Sequence, residues 1–345
     1  MRDVAVVAFA QSQHSGEDQG IAETEMVLPV ITEIKERTGL SRFGFTCSGS
    51  CDYLQGAPFA FVSALDTLGA WPPIAESHVE MDGAWALYEA WVKLQIGEID
   101  TALVYGFGKS SQGDLRAIMT QQLDPYHLAP LGVDQVSMAA LQARAYMDKS
   151  GVKEDDLRAV AARSRASGRD NPFALHLPDP EGDDYDVAPL RPYDVAPVTD
   201  GAAAIVLAAG DKARELCERP AWITGIDHRT EPHALGVRDL TGSAATRIAG
   251  EKSGATGIDV AELHAQFSHE ELILREALGL GDGVTINPSG GALSANPVMA
   301  AGLIRIGEAA SRIHDGTASR TLGHAASGPC LQQNLVCVLS GENNG

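Results

Sequence analysis

Hydrophobic and polar positions follow two spacings along the chain, one typical of strands and one typical of helices. Short apolar or alternating runs predict strands at residues 3–10, 43–47, 101–107, 203–208, 221–228, 258–264, 320–325 and 334–339. Runs with apolar residues three and four positions apart predict helices at residues 22–37, 55–68, 83–96, 136–150, 153–166, 268–278 and 297–312. The interleaving of the two kinds of element predicts an α/β fold.

The segment from about residue 110 to 195 differs from its surroundings. It is rich in Pro and Asp and contains few strand patterns. It therefore predicts an insertion of helices and long loops that interrupts a sheet.

A faint repeat of helix, turn and strand predicts two related halves. The helix at 83–96 and the strand at 101–107 have a counterpart in the helix at 297–312 and the strand at 320–325. Two such halves would place two helix N-termini opposite each other. The predicted halves are residues 1–210, which include the insertion, and residues 211–345.

Composition limits the possible partners. The 345 residues are 44% hydrophobic and 21% charged, a globular balance that suits one large or two ordinary domains. The 26 Lys and Arg against 46 Asp and Glu give a formal net charge of −20. This charge repels nucleic acid and anionic membranes, so no nucleic-acid partner is expected. No apolar run approaches the ~18 residues of a membrane span, and the N-terminus predicts a strand instead of a signal peptide, so a cytoplasmic location is expected.

Five cysteines are scattered along the chain. Cys47 and Cys51 form a CxxxC pair, but no second pair or nearby histidine completes a zinc set, and no metal site is expected. Cys337 alternates within an apolar strand pattern and is expected in the core. A disulfide framework is not expected. The roles of Cys47, Cys51 and Cys330 stay open.

Glu80 and Asp82 stand directly before Gly83, where a helix pattern begins in SHVEMDGAWALYEAW. Carboxylates at this place serve either as an acid/base pair or as charges that favour the positive end of a helix. The helix field also weakens a carboxylate as a base unless burial opposes that effect. Capping is the favoured interpretation for Asp82, whereas both interpretations stay open for Glu80.

The stretch NPSGGALSANPVMAAG predicts a tight turn and then a helix, with Asn296 as its cap and Pro297 at its first position. The backbone N–H groups around Gly290 and Gly291 are candidates to hold an anion or an oxyanion. A capped helix that packs closely through small residues is the equally weighted alternative.

His264 ends the predicted strand at 258–264, at the edge where α/β sheets collect ligands. Its position argues for acid/base chemistry, and a satisfied core histidine is the alternative. Ser268 and Glu271 have the spacing of a capping box for the next helix, with His269 expected in solvent.

Two further segments carry glycine turns. Residues 194–208 combine a loop, an Asp-Gly turn and a strand of small residues. Residues 322–339 run from a strand into Ala326, Ser327 and Gly328.

These segments, taken in order, resemble the thiolase superfamily, and in particular its thiolase-like lipid-transfer protein branch, which is related to sterol carrier protein x thiolase and to steroid side-chain aldolases. ELHAQFSHEEL resembles the His-containing form of the family's Asn-Glu-Ala-Phe motif, and NPSGGALSANP its Gly-Gly…Gly-His-Pro motif. VTDGAAAIVLA resembles the strand after the insertion, and DGAWALYEAWVKLQIGEIDTALVYGFGKSS the Cys-x-Ser-Gly helix and its strand. The resemblance covers nearly the whole chain. It implies a duplicated thiolase-like fold with α-β-α-β-α layers.

Several catalytic positions of that family hold other residues here. The motifs place Glu80 at the acyl-accepting cysteine, Asp82 at the serine and Asn296 at the histidine of Gly-His-Pro. Ala326 falls at the second, proton-transferring cysteine, and His264 is retained. A thiolase needs a thiolate to form its acyl-enzyme, because a carboxylate would give a mixed anhydride instead. Ordinary thiolysis is therefore not expected.

The resemblance also implies a chemistry that needs no cysteine. Related aldolases cleave a β-hydroxyacyl-CoA, notably a steroid side-chain thioester, and require a small partner with an OB fold and a zinc ribbon. Glu80 or Asp82 would be the base, and His264 with Asn296 would hold the thioester oxygen. The thioester-binding turns would be Gly290, Gly291, Ser327 and Gly328. Coenzyme A would enter as part of the substrate, with no permanently bound cofactor. Those aldolases use tyrosines of the second half, whereas the last tyrosine here is Tyr193.

Two other functions stay open. One is a non-catalytic structural subunit that pairs with an active thiolase-like chain and a small OB-fold protein; the other is an acyl-CoA condensing or hydrolysing enzyme. The resemblance implies a homo- or heterodimer built across a central sheet. Acyl-CoA would enter past the insertion, where cations are available for its phosphates: Lys149, Lys153, Arg158, Arg163 and Arg165. A solvated helix face is the favoured alternative for these cations.

Overall fold

The computed structural model describes residues 2–56, 58–69 and 74–343. Within these ranges, ten strands form one mixed sheet. The strands are β1 (Val4–Gln11), β2 (Phe45–Gly49), β3 (Glu76–Val79), β4 (Thr101–Gly108), β5 (Gly201–Ala209), β6 (Ala221–Thr230), β7 (Val260–Glu262), β8 (Thr285–Ile286), β9 (Arg320–Ser327) and β10 (Gln333–Ser340). All eight predicted strands overlap an observed one. The sequence missed β3 and β8, because four and two residues are too short to show an alternating pattern.

Ten α-helices lie in the same ranges. They are α1 (Glu23–Thr38), α2 (Asp52–Gln55), α3 (Gly83–Gln95), α4 (Leu115–Gln121), α5 (Gln135–Ser150), α6 (Glu154–Arg169), α7 (Gly210–Leu216), α8 (Ala244–Ser253), α9 (Ser268–Ala277) and α10 (Ala301–His314). The helix predicted at 55–68 is a 3₁₀ helix at Ala60–Leu68 preceded by α2, and residue 57 lies outside the described residues. No helix in the described part of the chain has the length and apolar character needed to cross a membrane.

The strand order, β3-β2-β4-β5-β1-β6-β10-β9-β7-β8, is symmetric about the junction of β1 and β6. On one side β2 pairs in parallel with β3 and β4, and β5 is antiparallel to both of its neighbours. On the other side β7 pairs in parallel with β8 and β9, and β10 is antiparallel to both of its neighbours. The same topology therefore occurs twice. The boundary between residues 210 and 211 stays a prediction.

Two helices, α3 and α10, lie between the two halves of the sheet. Eleven of the fourteen residues of α10 are buried, as expected for a helix with protein on all sides. One core cluster joins both helices to the inward faces of both halves, for example through Leu87, Ile304, Leu207 and Leu335. On the outside, α1 packs on the first half, and α8 and α9 pack on the second. The result is the α-β-α-β-α layering predicted from the sequence.

Glycines set the distance between α10 and the strands that it crosses. A Cβ on Gly307 would lie 2.1 Å from Cδ2 of Phe9, and a Cβ on Gly323 would lie 2.7 Å from Cα of Ile306. Carbon atoms do not approach so closely in a packed core, so both positions need a residue without a side chain.

The insertion leaves the sheet and returns to it at one point, because Gly108 of β4 pairs directly with Gly201 of β5. The intervening residues, all of them described, contain α4, α5 and α6 but no strand of the sheet. Apolar side chains of α5 and α6, such as Val136 and Leu157, share a core cluster with Phe267. The insertion is thereby fixed close to the start of α9.

The first helical residue of α10 differs from the prediction. The helix begins at Ala301, so Asn296 does not cap it and Pro297 is not its first residue. The reason is tertiary: Pro297 pairs with Thr199 in a β-bridge, and Oδ1 of Asn296 lies 3.1 Å from Nε2 of His264.

The predicted capping box of α9 is also wrong. The N-cap residue is Phe267, and the hydroxyl of Ser268 donates to Oδ1 of Asp194 over 2.7 Å. Glu271 lies buried within the fold, and His269, which was expected in solvent, is fully buried as well. Both differences arise because the insertion covers this end of α9.

Gly307→Ala is expected to lower the free energy of unfolding by about 1–3 kcal/mol, because the new methyl group overlaps the Phe9 ring. The cost of this overlap would exceed the stability of about 1 kcal/mol that alanine gains over glycine inside a helix. Urea unfolding measures the change. Gly242→Ala is the control, since its Cβ would meet nothing within 4 Å. Equal stability of the two variants would contradict the close packing of α10.

Candidate active site

A cavity of about 460 Å³ lies where the insertion meets the ends of the central elements. Five of the predicted site residues border it: Glu80, Asp82, His264, Ser327 and Gly328. They come from the connection between β3 and α3, the end of β7, and the connection between β9 and β10. The fold therefore brings together residues that are up to about 250 positions apart in the sequence.

Asp82 is the N-cap of α3 and also binds the first turn of α10. Its Oδ1 accepts from the N–H groups of Ala84 and Leu303, both at 2.9 Å, and its Oδ2 accepts from the N–H of Gly302 at 2.8 Å. The side chain is only 2% exposed. Burial raises the pKa of Asp82, and the three N–H groups oppose that rise. This geometry agrees with capping, the interpretation favoured from the sequence.

Glu80 is a positioned but accessible carboxylate. Its Oε1 accepts from the N–H of Asp52 at 2.6 Å, and its Oε2 lies 3.1 Å from Nε2 of His78. Nδ1 of His78 lies 3.2 Å from Oγ of Ser48, and the imidazole stacks on Phe61. The side chain of Glu80 keeps 48% of its surface exposed. These contacts fix its orientation and leave it open to the cavity.

His264 orients Asn296. Nδ1 of His264 accepts from the N–H of Ala326 at 3.3 Å, so the ring hydrogen is on Nε2, which points to Oδ1 of Asn296 at 3.1 Å. Burial lowers the pKa of His264 to about 4, so the ring is neutral near pH 7. Because Oδ1 of Asn296 is engaged, its Nδ2 is the amide atom left to donate. Asn296 does not itself border the cavity, but it contacts a residue that does.

Gly290 and Gly291 do not border the cavity. Both have left-handed backbone, with φ of 97° and 63°. Their N–H groups donate to the carbonyl of Asn287 at 2.9 Å and to Oγ of Ser289 at 3.3 Å. The amides are used within the turn, so the geometry does not support the predicted thioester-binding role for these two glycines.

Ser327 and Gly328 do border the cavity, at the end of β9. The backbone that follows is held in an unusual conformation, since Cys330 and Leu331 are non-glycine residues with φ of 54° and 57°. Cys330 is buried at the cavity wall, and burial raises the pKa of its thiol to about 12. The thiol is therefore protonated near pH 7 and is a weak nucleophile.

Sequence patterns missed a third carboxyl group at this cavity, that of Glu270. It lies in the first turn of α9, is 4% exposed, and its Oε2 accepts from the N–H of Gln266 at 3.0 Å. Burial raises its pKa to about 8. The sequence around it, SHEEL, has the pattern of an ordinary solvated first turn, and its burial comes from segments distant in the sequence.

The remaining wall of the cavity is largely apolar. Four of the seven methionines of the chain border it: Met81, Met119, Met138 and Met299. Phe267 and Leu331 add further apolar surface. Methionine side chains adapt to irregular apolar shapes, so this wall suits a bulky hydrophobic group.

The cations predicted to hold phosphates are mostly engaged elsewhere. Lys149 pairs with an aspartate at 3.2 Å and Arg158 with another at 3.1 Å. Arg163 pairs with buried Glu271, and Arg165 donates to a backbone carbonyl. None of these four borders the cavity. The contacts favour the alternative, a salt-bridged helix face.

The chain is similar in sequence to several proteins of the thiolase group. It is 27% identical to an acetyl-CoA acetyltransferase of Methanocaldococcus jannaschii, over 68% of this chain and 70% of that protein. It is 29% identical to human sterol carrier protein 2, over 73% of this chain and 54% of that protein. It is 24% identical to the 17-hydroxy-3-oxo-4-pregnene-20-carboxyl-CoA lyase of Mycobacterium tuberculosis, over 74% of this chain and 65% of that protein. No protein-family model matches the chain.

Two solved structures have the same fold. A structure described as an Ltp2-ChsH2(DUF35) aldolase superposes with a TM-score of 0.79 at 19% identity, over 99% of this chain and 98% of that chain. Human mitochondrial 3-ketoacyl-CoA thiolase superposes with a TM-score of 0.77 at 14% identity, over 98% of both chains. The chain therefore has the thiolase fold, and its relatives fit the thiolase-like lipid-transfer branch predicted from the motifs.

Asp82→Asn is expected to lower the free energy of unfolding by about 2–4 kcal/mol, because an amide offers one acceptor oxygen to three N–H donors. Chemical denaturation measures the loss. Asp114→Asn makes the same change at the exposed cap of α4, where one oxygen accepts from one N–H group, and should cost about 1 kcal/mol or less. A loss for Asp82→Asn no larger than that of the control would mean that the two helices do not depend on this carboxylate.

The buried carboxyl group of Glu270 is expected to lower the free energy of unfolding of the wild type, relative to a variant without this group, as pH rises from 5 to 8. A carboxyl group with a folded-state pKa of about 8 and an ordinary value of 4.5 contributes stability that is complete below pH 4.5 and lost as pH rises through 8. The decline due to Glu270 should be about 3–4 kcal/mol. Urea unfolding at several pH values should show that the wild type loses stability relative to Glu270→Gln as pH rises, because all other titrating groups are shared by the two proteins. Parallel curves for the two proteins would contradict the buried neutral acid.

Proposed function

We propose that this chain is the thiolase-fold subunit of an acyl-CoA retro-aldolase, which cleaves a carbon–carbon bond in a β-hydroxyacyl-CoA such as a steroid side-chain thioester. One observation carries the proposal. The carboxyl group of Glu80, which the motifs align with the thiolate of a thiolase, borders the same cavity as His264, and His264 bonds to Asn296 behind it. These groups suit proton transfer and oxyanion binding, and neither requires a covalent intermediate.

Glu80 is the proposed base. A retro-aldol reaction begins when a base takes the proton of the β-hydroxyl group, after which the bond between Cα and Cβ breaks to form a carbonyl. Contacts with Asp52 and His78 hold both oxygens of Glu80 at one side of the cavity. Each oxygen accepts one bond there, which leaves lone pairs for the substrate hydroxyl.

Asn296 is the proposed donor to the thioester oxygen, where negative charge develops as the enolate forms. His264 fixes the amide so that Nδ2 is free to donate. The bond from its own N–H to Oγ of Thr199, at 2.9 Å, holds the backbone at the same place. A donor fixed in advance stabilises the developing oxyanion without the cost of reorientation.

The substrate class follows from the wall of the cavity and from the relatives. Four methionines provide an adaptable apolar surface for a large acyl group. A 17-hydroxy-3-oxo-4-pregnene-20-carboxyl-CoA lyase is among the sequence relatives, and its name describes a steroid thioester with a hydroxyl group at the β carbon. Coenzyme A enters as part of the substrate, and the proposed chemistry requires no permanently bound cofactor.

We further propose a small OB-fold and zinc-ribbon partner, together with a homodimer or a second thiolase-like chain. The aldolase structure described as Ltp2-ChsH2(DUF35) is named for two components, which supports a two-component assembly here as well. A cytoplasmic location belongs to the same proposal.

A non-catalytic structural subunit is the second candidate function. The observation that favours it is the position of Asp82. Its carboxyl group accepts from N–H groups in the first turns of α3 and α10, so these N–H groups are not available to a substrate oxyanion. In that case the chain would stabilise an active thiolase-like partner, and the reaction would take place in the partner.

Glu80→Gln is expected to lower the rate of ketone release from a β-hydroxyacyl-CoA steroid by about 10²–10⁴-fold, because the amide cannot take the hydroxyl proton. The assay uses the protein purified from its own cells with whatever accompanies it. Glu251→Gln is the matched control, since Glu251 is exposed on α8 and pairs with Arg247. An unchanged rate in Glu80→Gln would remove Glu80 from the mechanism.

Asn296→Ala is expected to lower the same rate by about 10²–10³-fold with a smaller effect on substrate binding, because the lost donor acts on the oxyanion. Steady-state kinetics and calorimetric binding separate the two effects. If the wild-type complex binds the thioester but releases no ketone, the structural-subunit function is the correct one.

A further inference from the structure

The proposed reaction needs a second proton transfer that Glu80 does not provide. When the bond between Cα and Cβ breaks, its electron pair remains on the thioester as an enolate, and Cα must then take up a proton. We infer that Glu270, as a neutral carboxylic acid, donates this proton to Cα. The inference rests on the proposed retro-aldolase function and adds a catalytic residue to it.

The position of Glu270 suits an acid. It reaches the cavity wall from the first turn of α9, whereas Glu80 enters from the connection between β3 and α3, so the two carboxyl groups approach from different elements. One oxygen of Glu270 accepts from the N–H of Gln266. No cation within the described residues forms an ion pair with it. The carboxyl group is therefore held in place without a countercharge that would favour its ionised form.

The charged and titratable groups around Glu270 leave it neutral. The groups that border the same cavity are Glu80, Asp82, His233, His264 and Cys330. Burial keeps the His264 ring neutral and the Cys330 thiol protonated. Arg238 lies behind Cys330 and donates to the carbonyls of Pro329 and Cys330, at 3.0 Å and 3.1 Å. From α5, the neutral side chains of Gln135 and Met138 face the cavity.

The environments of the two carboxyl groups divide the roles of base and acid. Glu80 is half exposed, and each of its oxygens has one hydrogen-bond partner, which leaves room for a substrate hydroxyl group. Glu270 is buried, and burial raises its pKa to about 8, which suits an acid that is protonated near pH 7. A pair of carboxyl groups in one cavity with such different surroundings is the usual basis for separate acid and base roles.

The other buried groups at the cavity are less suitable as acids. The single ring hydrogen of His264 is already donated to Asn296, and the thiol of Cys330, with a pKa of about 12, is too weak an acid to match a reaction near neutral pH. Asp82 is also buried at the cavity, but its two oxygens already accept from three N–H groups as the cap of two helices. Glu270 is the remaining buried carboxyl group of the cavity, and its pKa of about 8 lies near the working pH.

The proton balance of the step is complete. Glu80 takes the hydroxyl proton, the Cα–Cβ bond breaks, a ketone or aldehyde forms at Cβ, and the enolate takes the proton of Glu270 at Cα. The products are the carbonyl compound and a shortened acyl-CoA. Glu80 is then protonated and Glu270 ionised, and a net transfer of one proton between them through solvent restores the enzyme. No group is oxidised or reduced.

Deuterium exchange into a short acyl-CoA tests the acid directly, because it runs the last step in reverse. In D₂O, ionised Glu270 should remove an α-hydrogen of propionyl-CoA and return deuterium, a reaction that needs neither ketone nor Glu80. We expect exchange to rise with pH through about 8 in the wild type and to fall by at least about 100-fold in Glu270→Gln. Glu270→Asp, which keeps the acid, should retain part of the exchange.

Two matched controls keep the result specific. Glu276→Gln makes the same change at an exposed position of α9 and should leave exchange intact. Glu80→Gln should abolish cleavage of the β-hydroxyacyl-CoA but leave exchange in propionyl-CoA. The assays use the complex as purified from its own cells, with circular dichroism to confirm that each variant is folded.

The possible outcomes separate this inference from the proposed function. If protonated Glu270 is the acid, the rate of thioester cleavage by the wild type should fall as pH rises through about 8. If Glu270→Gln cleaves the thioester with the same fall and also keeps the exchange reaction, Glu270 is not the acid. If exchange is present and depends on Glu270, but no β-hydroxyacyl-CoA is cleaved, Glu270 does transfer a proton at Cα and the retro-aldolase function is wrong. A wild-type complex that does neither overturns both.

Discussion

The carboxylate of Asp82 joins the two helices around which the whole molecule is layered. It accepts hydrogen bonds from the first turn of α3 and from the first turn of α10, which belong to opposite halves of the chain. Both helices are buried between the halves of the sheet, so their N-terminal N–H groups have little access to water and need a partner within the protein. One buried charge meets this need at both helix ends and holds them together. The arrangement of the cavity depends on this junction, because Glu80 lies two residues before it in the chain.

The same junction occupies the space between the two helix N-termini. Facing helix N-termini form a natural anion site, and here the protein fills that site with its own carboxylate. Other polar groups lie nearby: the carboxyl groups of Glu80 and Glu270 border the cavity, and the amide of Asn296 bonds to His264 behind the cavity wall. This set suits proton transfer to and from carbon and oxygen, whereas the buried thiol of Cys330 does not suit acyl transfer.

Burial by the insertion gives the two carboxyl groups of the cavity their different properties. The helices α5 and α6 cover the start of α9, which turns a segment of ordinary surface composition into part of the core. Glu270 loses its contact with water there, while Glu80 keeps half of its surface exposed. A change in the packing of the insertion would therefore alter the acid without touching the base. The insertion also supplies Met119 and Met138 to the apolar wall of the cavity.

The sequence by itself determined the order and type of the main elements, because apolar spacing and small-residue turns are local properties. It also singled out five residues that border one cavity, because they stand at strand and helix ends that meet in this class of fold: Glu80, Asp82, His264, Ser327 and Gly328. Their roles stay a prediction. Only the tertiary structure decided the use of Asn296, which the local pattern assigned to a helix cap and which instead bonds to His264, 32 positions away. It also excluded Gly290 and Gly291 from the cavity and revealed Glu270. The physical reason is the same in each case: hydrogen-bond partners and burial come from segments distant in sequence, and no local pattern records which of them will meet.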